Sequence, residues 1–452
     1  GKSAMFEKFE KLVNLALAEG FEKAEVYASA VDSFSVGVYE GHIENYSVAK
    51  RAGLSLRGLL NGQMGYASTE SDDESEYAEL VARAKENAEV LESQDEQFLY
   101  DGTEKLDWIS SLNPELEKVT PEQKIALVMD LEKKCLELGG EGTRVASCEV
   151  GTDSSSCVMV NSLGLHRTFE SNTAYAAVEV VIAQGDKQYP GFAFRFTRDF
   201  NELNVEELAK EALAEARKYI GAQSIPSAAM PVVMDKAAMR TMLATFAGVF
   251  SAEAAQKGLS LLGGKEGGNV AASAVTIWDD PSDGLGLAGM PFDGEGVPTQ
   301  KKAVVENGKL NTLLYTLKSA KKAGKNTTGN AARASYMSTV GTAPTNFYIA
   351  PGKNTVEQLY QMAGNGVRID ELMGTHAGAN PISGDFSLSC KGMKIENGKL
   401  TGPVEQITVS GNFYKLLEGI RAVGDDLWFG FPGVCSVGSP SVLIEGLSIA
   451  GE

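Results

Sequence analysis

The sequence predicts an α+β fold, and three observations carry that expectation. The first half runs through one order of elements twice: helix, antiparallel meander, helix. The second half turns glycine-rich, with 32 of the 49 glycines lying after residue 226. Asn-Gly hairpin signals recur in both halves, at 61–62, 307–308 and 397–398.

Phe6, Phe9, Val13 and Leu17 recur at three- and four-residue spacing ahead of Gly20, which marks an amphipathic helix over 5–19. From 24 to 68 the period becomes two. Phe34, Val36 and Val38 alternate with small or polar residues, and Asn61-Gly62 closes a hairpin. A second helix is expected to open on a capping box, Ser71-Asp72-Asp73-Glu74, and to run through Tyr77, Val81, Ala84, Ala88 and Leu91.

The order then returns. Thr120-Pro121-Glu122-Gln123 combines an N-cap, a first-turn proline and a capping box. Ile125, Val128, Leu131, Cys135 and Leu138 supply the apolar stripe of that helix. Strands are expected at about 144–150, 156–161, 165–184 and 188–197, and Asn204 caps a closing helix that ends near Gly221. Such units bury one sheet face under helices and leave the other free. The expected first domain is 5–225, built of two related units at about 5–95 and 118–221.

Pro226 and Pro231 coincide with the shift in composition and place a boundary near 222–231. The second domain, 230–452, reads as mostly β. One long helix is expected over about 236–256, with Met239, Leu243, Phe246 and Phe250 on its apolar face. A shorter one is expected at 355–363, capped by Asn354 with Glu357 three positions on, and another from Asn412 through Leu417. The pentapeptide Glu-Asn-Gly-Lys-Leu occurs at 306–310 and 396–400, each a tight hairpin.

Composition narrows the function. Apolar residues are 43% and charged residues 22% of 452, an ordinary globular balance that excludes wholesale disorder. The net charge of −19 repels phosphate backbones and anionic lipid, so direct nucleic-acid binding is not expected. No apolar run reaches the ~20 residues of a membrane span, and no basic-then-apolar leader opens the chain. Five scattered cysteines without a CxxC pair read as buried thiols of a reducing cytoplasm.

The usual catalytic patterns fail one by one. His42, His166 and His376 share no helix, so a helical zinc-peptidase motif has nowhere to sit. Asp279-Asp280-Pro281-Ser282-Asp283-Gly284 resembles a calcium loop, but Met290 stands where the bidentate glutamate belongs. Asp293 and Glu295 could pair as acid and base, although a carboxylate-rich turn is the simpler reading. Ser319 and Lys322 match SxxK inside a lysine cluster, a pattern that chance often produces. No GxSxG elbow, P-loop or dinucleotide GxGxxG is present.

The second half carries a more specific signature. Its blocks are Phe292-Asp293-Gly294-Glu295-Gly296-Val297-Pro298-Thr299, Thr328-Gly329-Asn330-Ala331-Ala332-Arg333 and Pro344-Thr345-Asn346-Phe347. Ser383-Gly384-Asp385-Phe386-Ser387 and the run from Val404 to Asn412 follow in order. Together they resemble the TldD/PmbA family, once described as modulators of DNA gyrase, in which two branches pair as a heterodimeric cytosolic metallopeptidase. The TldD branch carries HExxxH on a helix that ends in a lysine-glycine-x-serine stretch. Here that stretch is Lys257-Gly258-Leu259-Ser260, and counting back puts Leu243, Ala244 and Gly248 at the positions of HExxxH.

None of these three can bind zinc or take a proton. Cys435 matches the family's late cysteine ligand, but as a lone thiol. The chain therefore resembles the PmbA (TldE) branch. The resemblance implies no catalytic residue and no cofactor in this chain, with zinc held by a TldD-type partner subunit. It implies unfolded peptides as substrates, a chamber-shaping role in proteolysis and maturation, a homodimer when the chain stands alone, and a cytoplasmic location. Asn330, Arg333, Asp385 and Asn412 are the expected peptide-groove or interface residues. The alternative is a stand-alone peptide- or protein-binding modulator without proteolytic activity.

Overall fold

A computed structural model describes residues 2–451. They form two compact units. The first holds the chain up to Arg217 together with Pro291–Thr299 and Thr316–Gly341, and the second holds Lys218–Met290, Gln300–Tyr315 and the residues from Thr342 onward. Two segments of the expected 230–452 domain thus fold within the first unit.

In the first unit, helix α1 (Lys2–Ala18) leads into strands β1 (Lys23–Tyr39), β2 (His42–Leu60) and β3 (Gln63–Thr69), and α2 (Tyr77–Val90) follows. After a single turn, α3 (Pro114–Glu117), the order recurs as α4 (Pro121–Gly139), β4 (Thr143–Asn161), β5 (His166–Gln184), β6 (Lys187–Thr197) and α5 (Val205–Lys218). The two meanders join in one antiparallel sheet ordered β3-β2-β1-β4-β5-β6, with β1 and β4 paired from Glu25↔Asn161 to Gly37↔Glu149.

Two local expectations are corrected. The strands expected at 144–150 and 156–161 are one strand, β4. The polar run Ser154-Ser155-Ser156 is held extended by β1 on one side and β5 on the other, so pairing overrides weak propensity. The cap before α2 is not Ser71 but Asp73, whose carboxylate accepts the Ser75 N–H at 3.0 Å and opens a short 3₁₀ turn. The box at Thr120 and Gln123 forms as the sequence predicts.

Alternation along the strands sorts the sheet faces. Ala24, Val26, Phe34, Val36 and Val38 of β1 share one face, and all are buried. Towards one end α1 and α2 cover it with Leu12, Val13, Leu80 and Ala84. Towards the other, α4 and α5 cover it with Val128, Leu131, Leu208 and Leu213. Each closing helix rests on a glycine of its third strand. A Cβ on Gly65 would stand 2.2 Å from the Ala84 carbonyl oxygen, and one on Gly191 would stand 2.1 Å from that of Ala212.

The opposite face was expected to be free, and it is not. Glu25, Tyr27, Ser29, Ser55 and Arg57 lie there, and Asp293, Glu295, Arg333 and Tyr336 of the two inserted segments pack over them. Burying charges on that face requires partners, which the segments bring.

The second unit contains an eight-stranded and a six-stranded sheet. In the first, Val232–Met234 runs parallel to Gly366–Met373, which pairs with the long hairpin Asp385–Glu396 and Lys399–Asn412. In the second, Ile277–Asp280 pairs with Asn346–Ile349, which runs parallel to Ser436–Ser439. Helix α6 (Lys236–Phe246) packs against Ser436–Ser439 of one sheet and Gly366–Met373 of the other. Phe246 stacks on Phe413 with centroids 4.7 Å apart, and Phe250 meets Phe347 at 5.3 Å.

Candidate functional site

The positions singled out by their spacing fall on α6 and just beyond it. The single helix expected over 236–256 breaks twice. α6 ends at Phe246, a 3₁₀ turn runs from Ala247 to Phe250, and a new helix, Ala252–Gln256, starts under the cap of Ser251. Gly248 is a poor helix former, and the Ser251 hydroxyl accepts the Ala254 N–H at 3.2 Å, which ends one helix and begins another. Leu243 is fully buried in the core, Ala244 is half-buried, and Gly248 is exposed on the turn.

Between them these positions offer an isobutyl group, a methyl group and a hydrogen. Zinc takes three or four nitrogen, oxygen or sulfur donors, so this set does not fit a zinc ion. Among the described residues no group of three or more His, Cys, Asp or Glu side chains is arranged to hold a metal. Cys435 sits in the loop before Ser436–Ser439, half-buried. Burial pushes its thiol up, while the Arg240 guanidinium of α6 pulls the other way.

The four expected groove residues fall into two pairs, one in each unit. Asp385 and Asn412 face each other across the long hairpin. The Asn412 amide donates to the Ser383 carbonyl at 2.8 Å and to Asp385 at 3.0 Å, and its oxygen accepts the Lys415 N–H, capping the helix Phe413–Glu418. Asn330 is buried and accepts the Thr328 hydroxyl at 2.7 Å. Arg333 is buried too, with its side chain only 1% exposed, and its partners are the residues that sequence reading missed.

Those partners form a buried ionic network in the first unit. Arg57 holds Glu25 with two bonds, of 2.8 and 3.0 Å, directly across β1 and β2. Arg333 adds a bond of 2.7 Å to the same carboxylate, donates to the Ser55 hydroxyl at 3.0 Å and lies over the Tyr27 ring. Glu295 stands 3.8 Å from Arg57 and accepts the Leu317 N–H at 3.0 Å. Asp293 accepts three backbone N–H groups, from Glu295, Val297 and Ala331, at 2.8 to 3.0 Å.

Charge balance sets the protonation of this network. Burial pushes the Glu25 carboxyl up, but Arg57 and Arg333 together outweigh it and hold it below its ordinary value. Asp293 goes the other way: burial first, then the Glu295 charge, raises it to about 8. Glu295 is raised as well, chiefly by burial. The acid–base pair conceived from sequence is therefore real in proximity but serves the interior.

The remaining candidates are structural. Thr316 caps the helix Leu317–Ala323, its hydroxyl accepting the Ser319 N–H, and Lys322 reaches Asp95, so the SxxK pattern forms no dyad. His166 bonds Glu10 at 2.5 Å and stacks on Phe6, while His42 and His376 are exposed and far from any shared helix. Asp279 accepts from Lys302 and Thr345 rather than forming a calcium loop.

Three family models match the chain: PmbA/TldA metallopeptidase domain 1 over residues 24–88, the central domain over 114–219 and the C-terminal domain over 227–451. An uncharacterised protein of Methanocaldococcus jannaschii is 28% identical over 97% of this chain and 98% of its own length. Metalloprotease PmbA of Escherichia coli O157:H7 is 26% identical over 97% of this chain and 94% of its own. A Thermotoga maritima protein described as a proposed modulator of a DNA gyrase superposes with a TM-score of 0.88 at 31% identity, covering 98% of this chain and 99% of that one. TldE of Thermococcus kodakarensis has the same fold, with a TM-score of 0.88 at 24% identity over 98% of this chain and all of its own.

Proposed function

The chain belongs to the PmbA/TldD metallopeptidase family, and from that premise we propose that it is the non-metal subunit of a two-chain cytosolic peptidase. The observation that carries the reading is the donor set of α6 and its turn: Leu243, Ala244 and Gly248 have no atom for a metal or a proton. Zinc belongs, in this reading, to a TldD-type partner. The likeness in fold to a TldE structure supports the branch.

The chain's own part is to shape the substrate chamber for unfolded peptides during proteolysis or maturation. Its glycine-rich strands suit extended chains recognised through backbone hydrogen bonds rather than by side chain. Asp385 and Asn412 would meet such a chain at the open end of their hairpin. Asn330 and Arg333, both buried, would act by holding their segment in place. The two helix–meander–helix units of the first half are, we infer, related copies, which the paired glycine contacts of α2 and α5 support.

Reconstitution tests the assignment. The lone chain is expected to hold far less than one zinc per molecule and to leave an unfolded peptide intact. Adding a zinc-bearing family homologue should give cleavage that a chelator abolishes. Chelator-resistant cleavage by the lone chain would overturn the proposal. Failure to associate with any such homologue would favour the stand-alone binder.

A further inference from the structure

Arg240 is out of keeping with the rest of the chain. Four other buried or half-buried arginines, Arg57, Arg333, Arg368 and Arg195, each hold a carboxylate, in a protein with 60 acidic side chains against 41 basic ones. Arg240, half-buried on α6, pairs with none among the described residues. Its Nε donates to the Val437 carbonyl at 3.4 Å, and its two terminal nitrogens bond nothing among the described residues. A partly desolvated guanidinium without a counter-ion is costly, and supplying an anion relieves that cost.

The surroundings are shaped to hold the guanidinium in place. A Cβ on Gly430 would lie 2.3 Å from Nε and 2.6 Å from Cζ, so the loop backbone passes directly against the guanidinium. The Gly430 N–H donates to the same Val437 carbonyl at 3.1 Å, which fixes the loop on the arginine. Phe431 and Val434, on the same loop as Gly430, are apolar and exposed to 46% and 53%. Arg240 also stands one helical turn before Ala244, on the same face of α6.

We propose that Arg240 is a carboxylate-binding residue that takes the free α-carboxylate of an extended peptide, with the last side chain resting on Phe431 and Val434. The fork of a guanidinium matches a carboxylate in two parallel bonds. A chain terminus places its charge on the main chain, next to an apolar side chain, whereas a Glu residue holds it two methylenes further out. The proposal rests on the peptide reading above and adds the end of the peptide that this chain recognises.

Fluorescence anisotropy with the full chain tests it. The probes are a labelled apolar hexapeptide ending in leucine as the free acid, its C-terminal amide, and the amide carrying one internal Glu. The free acid should bind roughly tenfold or more tighter than the amide, as expected for a charge-assisted pair. Arg240→Gln should abolish that difference and Arg240→Lys should keep part of it. Gly430→Ala should weaken the free acid alone, and circular dichroism should show all three variants folded. Equal binding of acid and amide would overturn this proposal and leave the peptide reading intact. Binding of the Glu-containing amide as tight as the free acid would overturn the assignment to the terminus. Binding of no peptide at all would overturn both.

Discussion

Arg333 donates to Glu25 at 2.7 Å across 308 positions of the chain. That bond, with the two from Arg57, gives one buried carboxylate to two buried guanidiniums. It also ties two segments of the glycine-rich half to the first unit: Arg333 and Glu295 meet the opposite charges of Glu25 and Arg57 there. Removing Glu25 leaves both arginines without their shared counter-ion. Glu25→Ala is therefore expected to cost about 3–5 kcal/mol, read from urea unfolding at pH 7. A loss below ~1 kcal/mol would mean that Glu295 alone can balance the pair.

The same network predicts an uneven response to pH. The folded value of Asp293 lies at about 8, above its ordinary 3.8, so the native state holds a proton that the unfolded state has released. Between those values stability falls as pH rises, and above about 8 the fall ends. Glu25 works in the opposite sense: its folded value is depressed, so its contribution is full above 4.5 and disappears as pH falls through the lower folded value. Urea midpoints should decline from pH 6 to 8.5. Glu295→Gln removes the repelling charge and should flatten that decline. A wild-type midpoint that rises over this range would defeat the assignment.

The sequence carries the element order plainly, because amphipathic stripes, Asn-Gly turns and the box at Thr120 are local signals. The corrections concern what local signals cannot hold. Ser154 to Ser156 are extended only because two neighbours pair with them. Glu25 faces Arg57 only because one residue, Glu44, is bulged out of β2, and without that bulge every partner beyond it shifts by one and to the other face. Nothing near 44 announces a bulge, so the network stayed hidden. The absence at Leu243, Ala244 and Gly248 was legible because it is a matter of residue type. The missing counter-ion of Arg240 was not, because it depends on what the fold brings near.

Thiol accessibility separates the cysteines. Cys135, Cys148, Cys157 and Cys390 are buried and Cys435 is half-buried. Burial pushes Cys135 up to about 11 and Cys157 and Cys390 up to about 12, so none of these presents a thiolate near neutral pH. A disulfide reagent at pH 8 should titrate one thiol in the native chain and five in urea. Cys435→Ser should remove the native signal while leaving the melting temperature and partner-dependent cleavage largely unchanged. Loss of cleavage in a folded Cys435→Ser chain would place that thiol in the reaction.

The relation between the two halves of the first unit can be measured in stability. Gly65 under α2 and Gly191 under α5 each face a helix carbonyl closer than any Cβ contact allows. Gly65→Ala and Gly191→Ala should therefore each cost about 1–3 kcal/mol by overpacking, and by similar amounts. Gly402, whose Cβ would meet nothing within 4 Å, is the control, and Gly402→Ala should fall within about 0.5 kcal/mol of wild type. Ala88 lies 2.7 Å from the new methyl of Gly65→Ala, so Ala88→Gly would rescue that variant if side-chain crowding were the cause. The nearer obstacle is the Ala84 carbonyl oxygen, part of the helix backbone, which no side-chain trimming moves. The double variant Gly65→Ala/Ala88→Gly should thus remain as unstable as the single one, or more so, since glycine inside α2 adds its own helix penalty. Full rescue would show that the Ala88 methyl and not the helix backbone sets the cost, and unequal costs at 65 and 191 would show that the two halves pack by different rules.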